Sequence, residues 1–404
     1  MKKVALSLVA ISVLSSAAFA DIKVKSFSGD AKLFYNAVNS GGQNYSEKTN
    51  NMGDAAISFD GALSVGNGAT VNWGVTGIST MGLDGHLVSK TWTKHQNSST
   101  DSNLTDGVWL DTLNLTVSPF ANTTMIIGRQ ELDTPMVFSE QWNIAANTYD
   151  AVVVANQSFA NTTLVGAWVG RSNIAGGDTV QYYKNEEAFK DFAGVSDGAY
   201  AFAIVNKSFA NTTLQAWYFD VVHTAKVAWL QLDSKYMGID YGLQYASRNP
   251  NASGAKTSTA IAGKIGGSIN GINLTAAYSK VSDDNNATDR FSNVGGAQSK
   301  LYTDAWWNIG TVAQPNTKAV TLSANYDFGI VNSTLYYTTA TQDKSTKVGN
   351  VIANKTETTE TTLTFDKTLG ALDASVAFVN TQKKVDGVDQ AADNEIQAYL
   401  TYHF

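Results

Sequence analysis

Residues 317–328 read TKAVTLSANYDF. Val320, Leu322, Ala324, Tyr326 and Phe328 fall on one face, and Thr321, Ser323, Asn325 and Asp327 on the other. A period of two is the signature of a strand with one apolar and one polar side. The same alternation runs through INLTAAYSK, where Ile272, Leu274, Ala276 and Tyr278 oppose Asn273, Thr275, Ala277 and Ser279. In AYAFAIVN, Tyr200, Phe202 and Ile204 oppose alanines. Two architectures accept such strands: a sandwich whose apolar faces make a core, or a barrel whose apolar face meets lipid.

The connections separate the two. Alternating segments lie near 28–38, 54–65, 70–80, 107–118, 123–130, 150–158, 162–170, 198–207, 212–222, 225–235, 239–248, 257–269, 272–282, 317–328, 331–342, 357–367, 371–382 and 393–404. Short turns join many of them: GNGA, KYMG, Asn270-Gly271, FGIV, TLGA and three copies of FANTT at 120–124, 159–163 and 209–213. Long polar loops at 81–106, 131–149, 171–197 and 283–316 join others. Short turns on one rim and long loops on the other are the pattern of a transmembrane antiparallel β-barrel. The count gives about eighteen strands; sixteen is the alternative if 225–235 and 239–248, whose alternation is poorer, are mispaired. FANTT recurs at unequal intervals and always at a short turn, so it marks the periplasmic rim rather than a solenoid repeat.

The ends of the chain agree. MKKVALSLVAISVLSSAAFAD has a charged start, a short apolar run and the small-x-small site Ala18-Phe19-Ala20, the plan of a cleaved signal peptide. Residues 1–20 are then removed and 21–404 form one barrel domain. Loss of Lys2 and Lys3 makes the formal charge more negative than −7. No later stretch reaches the ~18 apolar residues of a spanning helix. The chain has 0 Cys, so no disulfide can staple it. Its 17 Tyr, 17 Phe and 9 Trp suit strands and interfacial girdles. The acidic balance leaves no nucleic-acid footprint. The last strand, EIQAYLTYHF, alternates to a terminal Phe404, with Tyr402 on the same face. Both are candidates for a C-terminal assembly signal.

The segment MIIGRQELDTPMVFSEQWNIAANTYDAVVVANQSFANTTL, residues 125–164, resembles the major outer membrane porins of campylobacter-type (epsilon) proteobacteria, related to the specific-porin group. The matching elements are Gly128-Arg129-Gln130, Leu132-Asp133-Thr134-Pro135 and the strand from Tyr149. The resemblance implies an eighteen-strand channel, usually a homotrimer, whose third long loop folds into the pore. By the count above that loop is 131–149. Where the family carries an arginine and then a proline late in this loop, this chain has Asn143 and Ala146.

A barrel of this girth leaves an aqueous channel. Charged rings and constrictions then set what passes. The candidate constriction comprises Arg129, Glu131, Asp133, Glu140, Asp150 and Arg171. In TTLVGAWVGR, plain alternation puts Arg171 opposite Leu164 and Trp168, hence inward. An acidic constriction with mild cation preference is expected. The expected function is passive diffusion of small hydrophilic solutes and ions across a bacterial outer membrane. The expected partners besides solutes are membrane lipids and lipopolysaccharide. A surface adhesin or antigen acting through the long loops is the alternative. Asp283, Asp284 and Asp289 in VSDDNNATDR are a weak calcium candidate without EF-hand spacing; no other cofactor is expected. No GxSxG, P-loop or dinucleotide motif is present, and His86, His95, His223 and His403 fall singly. An enzyme is not expected.

Overall fold

The computed structural model describes residues 22–41, 44–46, 51–83, 86–88, 107–141, 144–173, 190–192, 197–282, 290–343 and 354–404. The expected signal peptide 1–20, the calcium candidates Asp283, Asp284 and Asp289, His95 and Asn143 lie outside these residues.

Eighteen long strands form one antiparallel sheet. They are β1 Lys23–Ser40, β2 Met52–Ser64, β3 Thr70–Ser79, β4 Gly107–Val117, β5 Thr123–Gln130 and β6 Tyr149–Phe159. Next come β7 Thr162–Ser172, β8 Ala199–Asn206, β9 Thr212–Val221, β10 Ala225–Tyr236, β11 Ile239–Pro250 and β12 Ser258–Ile269. The set closes with β13 Ile272–Val281, β14 Thr317–Asp327, β15 Asn332–Gln342, β16 Thr356–Leu369, β17 Leu372–Val385 and β18 Asp393–His403. Each pairs with its neighbours in sequence, and β1 pairs with both β2 and β18, so the sheet closes on itself. Closure satisfies every strand edge internally, which a wall in hydrocarbon requires.

The sixteen-strand alternative is overturned by β10 and β11, which pair from Ala225↔Pro250 to Tyr236↔Ile239. Their alternation is poor for a physical reason. Their inner faces carry Val227, Trp229 and Ala246, all buried in an apolar cluster inside the barrel. A strand apolar on both faces loses the period-two contrast.

The outward faces expose Phe202, Ile204, Leu243, Ile261, Ile265 and Leu322. Such a surface is costly in water, at ~25 cal/mol per Å² of apolar area, and is matched to lipid. Trp168, Tyr200, Tyr218, Tyr245 and Tyr278 are exposed toward the loop ends of their strands. Phe120, Phe159, Phe209, Tyr236 and Phe328 are exposed at the turn ends. These are two aromatic girdles.

The FANTT turns share one geometry. Asn122, Asn161 and Asn211 adopt φ of 55°, 54° and 52°, the left-handed region that Asn tolerates. In each turn the first Thr hydroxyl donates to the preceding Ala carbonyl, at 3.2, 3.1 and 3.1 Å. Each Asn carbonyl then accepts from the next hairpin: Gln157 N–H, Lys207 N–H and Lys235 N–H, at 2.8, 2.8 and 3.0 Å. The repeated turns are therefore stitched side by side along one rim.

Candidate pore constriction

Residues 131–141 and 144–148, between β5 and β6, enter the barrel, as do residues 290–316 between β13 and β14, with Met136, Ile144, Phe291 and Leu301 buried in the interior cluster. Their meeting point is Glu140, 0 % exposed. Its Oε1 accepts Asn293 Nδ2 at 3.0 Å, Ala297 N–H at 2.7 Å and Gln298 N–H at 2.9 Å. Around it, Phe138 N–H donates to Asn293 Oδ1 at 3.0 Å and Asn293 Nδ2 to Phe138 O at 2.7 Å. Val294 N–H donates to Met136 O at 2.8 Å. Gly296 is required here: a Cβ at that position would stand 2.1 Å from Glu140 Oε1. A buried carboxylate is tolerated because hydrogen bonds to it are charge-assisted.

The β13–β14 loop is moored to the wall over a wide arc. Tyr302 Oη donates to Asp233 Oδ1 on β10 at 2.9 Å, and Gln244 Nε2 on β11 to Lys300 O at 2.8 Å. Arg248 Nη1, also on β11, donates to Arg290 O at 2.9 Å. Thr321 Oγ1 on β14 donates to Thr303 O at 2.7 Å. On β16, Glu360 accepts Trp307 N–H at 3.1 Å and Asn308 N–H at 2.6 Å. Trp307 Nε1 reaches Glu395 on β18 at 2.8 Å. Within the loop, Asp304 accepts Gly310 N–H and Ser299 N–H, both at 2.8 Å. Burial pushes its carboxyl up to about 7.

Among the expected constriction residues, the structure brings Glu131 and Asp133 to exposed positions on the third loop. Asp133 is 84 % exposed, and its Oδ1 stands 2.7 Å from Lys300 Nζ of the other loop. Glu131 accepts Gln141 Nε2 at 2.7 Å and lies within electrostatic reach of Lys32 and Asp60. Open to the interior on one side and shielded by its neighbours on the other, its carboxyl is held above its ordinary range. Asp60 on β2 and Asp111 on β4 extend this acidic ground: a Cβ on Gly74 would meet an oxygen of each, at 2.6 and 2.2 Å. Asp60 and Asp111 escaped the sequence analysis. Asp60 could have been found from its parity, since Phe59 and Gly61 share the opposite, aromatic face.

Glu140 is placed differently from expectation, since its charge serves the joint between the loops. Arg129, Asp150 and Arg171 form a separate group. Asp150 Oδ1 stands 2.8 Å from Arg129 Nε, and its Oδ2 2.6 Å from Arg171 Nη2. Asp150 lies between Tyr149 and Ala151, both buried in the interior cluster, so alternation turns it outward, with both arginines in register beside it. The inward reading of Arg171 is corrected by a bulge. The β6–β7 register shifts between Asp150↔Arg171 and Ala151↔Val169, leaving Gly170 unpaired. One extra residue reverses the facing of every residue beyond it.

At the C-terminus, Phe404 and Tyr402 are each 51 % exposed on the outward face, their rings stacked at 6.4 Å. His403 faces inward; its Nδ1 is 2.7 Å from Asp30 on β1 and its Nε2 2.9 Å from Asp373 on β17.

The fold is the closed eighteen-strand antiparallel barrel of the outer-membrane porins. Its solved neighbours include the outer membrane protein OpdK of Pseudomonas aeruginosa, with a TM-score of 0.71 and 10 % identity over 95 % of this chain and 100 % of that one. OccK8 (OprE) of the same organism superposes with a TM-score of 0.69 and 14 % identity, covering 96 % and 99 %. OccAB4 of Acinetobacter baumannii gives 0.67 and 12 %, covering 95 % and 99 %. No family model and no curated protein sequence matches the chain.

Proposed function

We propose that the chain, after removal of residues 1–20, is an outer-membrane porin in the specific-porin group. Small hydrophilic solutes and ions would diffuse passively through its lumen. The observation that carries this reading is a closed lipid-faced wall whose interior holds water-exposed charge, with Asp133 84 % exposed on an inward loop. A protein built only to display surface loops has no need of a hydrated acidic interior. Glu131, Asp133, Asp60 and Asp111 outnumber Lys32 and Lys300 around the constriction, and a field of that sign favours cations. Kinship with the campylobacter-type porins and assembly as a homotrimer belong to the same proposal. So does a role for Tyr402 and Phe404 in assembly.

Purified protein reconstituted in planar bilayers is expected to give discrete open steps. Under a salt gradient, the reversal potential should have the sign of cation preference. Absence of steps would sink the channel, and a clear anion preference would sink the selectivity.

A further inference from the structure

Lys280 on β13 and Lys318 on β14 stand directly opposite each other across the strand pair. Like charges at such positions, with Cβ atoms ~5 Å apart, are destabilising unless something offsets them. Both side chains point away from the lumen. Lys280 is flanked by Ser279 and Val281, and Lys318 by Thr317 and Ala319, all buried on the inner side. Lys280 is exposed, and Lys318 is 53 % exposed.

Their height on the barrel is fixed by Tyr278, 45 % exposed in the loop-side girdle. Lys280 lies two residues beyond it, ~7 Å at ~3.4 Å per residue, which is headgroup level. The other neighbours on this face are Ile261 across from Lys280 and Thr341 across from Lys318. Asp343 Oδ2 is 3.6 Å from Lys318 Nζ. Farther round the rim the charges alternate: Lys355 pairs with Glu357 at 2.8 Å and Lys384 with Asp389 at 3.3 Å. At the Lys280–Lys318 end, by contrast, two ammonium groups adjoin, and among the described residues one carboxylate, Asp343, serves them. Among the described residues Lys280 has no acidic partner.

We propose that Lys280 and Lys318 clamp a phosphate of a lipid headgroup in the outer leaflet. A phosphate placed between the two ammonium groups accepts a charge-assisted hydrogen bond from each and removes their repulsion. The acyl chains below it lie along the exposed Tyr278, Val320 and Leu322 surface. The assignment rests on the membrane-spanning reading of the barrel but not on conduction.

The test is native mass spectrometry of the folded protein in non-ionic detergent, titrated with diphosphoryl lipid A, phosphatidylcholine or inorganic phosphate. The variants are Lys280→Thr/Lys318→Thr, the single Lys318→Thr, and Lys280→Arg/Lys318→Arg. Wild type and the arginine pair are expected to retain lipid A, and the double threonine variant to hold it about tenfold less tightly, a ~1.4 kcal/mol loss. Phosphatidylcholine should bind less well than lipid A. Equal lipid A affinity in wild type and in both threonine variants would overturn the clamp. Displacement of lipid A by millimolar inorganic phosphate would show a free-anion site instead, and also overturn it. If the double variant does not fold, the single variant and the arginine pair carry the comparison. Bilayer conductance of the same preparations tests the channel separately: its absence in wild type would overturn the porin reading and leave the lipid result standing.

Discussion

Gly29 and Phe404 exchange both backbone hydrogen bonds, Gly29 N–H to Phe404 O at 2.8 Å and Phe404 N–H to Gly29 O at 2.9 Å. The final residue of the chain thereby completes the seam between the first and last strands. Its ring covers Gly29, where a Cβ would stand 2.5 Å from it, and meets Phe59 edge-on at 5.8 Å. Phe404→Ala keeps the backbone pair and loses the ring contacts, ~1 kcal/mol each. Deletion of Phe404 loses both. The folded fraction, read by heat-modifiable gel mobility, is expected to fall modestly in the first variant and severely in the second. Equal folding of the two would show that the seam does not depend on this residue.

Glu140→Ala should release the joint between the two inward loops without opening the barrel. It removes a carboxylate that accepts three hydrogen bonds, each to a charged acceptor and worth ~1.5–3 kcal/mol. Single-channel traces should become noisier and larger in mean conductance, with the global melting temperature little changed. Wild-type traces would contradict the joint as a determinant of aperture.

The proposed cation preference should depend on pH through Glu131. Its carboxyl is held above the ordinary range, chiefly by desolvation, so it gains its charge only at a higher pH than a free glutamate. As pH falls, selectivity should begin to decline above the usual Glu range near 4.5. Glu131→Gln should reduce selectivity at neutral pH and flatten this part of the profile. An unchanged profile in the variant would assign the titration elsewhere.

Asp304 makes the fold of the β13–β14 loop pH-dependent in a defined direction. Its carboxyl titrates near 3.8 when free and about 7 in place. The folded loop therefore keeps a proton that the unfolded chain releases between these values. The contribution to stability is fully present below the lower value and is lost as pH rises through about 7. Hydrogen exchange at Ser299 and Gly310, corrected for intrinsic rates, should show protection falling from pH 5 to pH 8. Asp304→Asn should abolish the trend.

The periplasmic turns should discriminate sharply between small residues. Asn161, at φ 54°, occupies a region that costs an L-residue with an ordinary side chain ~1–2 kcal/mol. Asn161→Gly should be tolerated and Asn161→Ala should lower the denaturant midpoint. Identical midpoints would remove the conformational argument for FANTT.

The barrel was legible because a wall between lipid and water imposes the period of two on every strand not covered from inside. β5, read at 123–130, has those same limits in the structure. β1 begins earlier than its alternation suggested, at Lys23, because a register irregularity between Val24 and Ser26 breaks the pattern there. The third loop could be placed inside only through the resemblance carried by residues 125–164. The inward course of residues 290–316 depends on distant partners such as Glu360 and Glu395, which no local pattern encodes. A trace of it was present: LYTDAWWN, residues 301–308, is too aromatic for a solvated loop. The facing of Arg171 failed for a local reason, since alternation cannot anticipate a bulged glycine.

The two loops leave the wall on widely separated strands, one between β5 and β6 and the other between β13 and β14, and meet at Glu140. Mechanically they make a spar across a hoop. A thin-walled cylinder of eighteen strands is readily flattened to an ellipse by lateral pressure, and a brace spanning its interior resists that mode. The same contacts that narrow the passage would keep its cross-section round in a crowded, stiff leaflet. Stiffness of the shell and bore of the channel would then be one mechanical property, set where the two loops meet around Glu140.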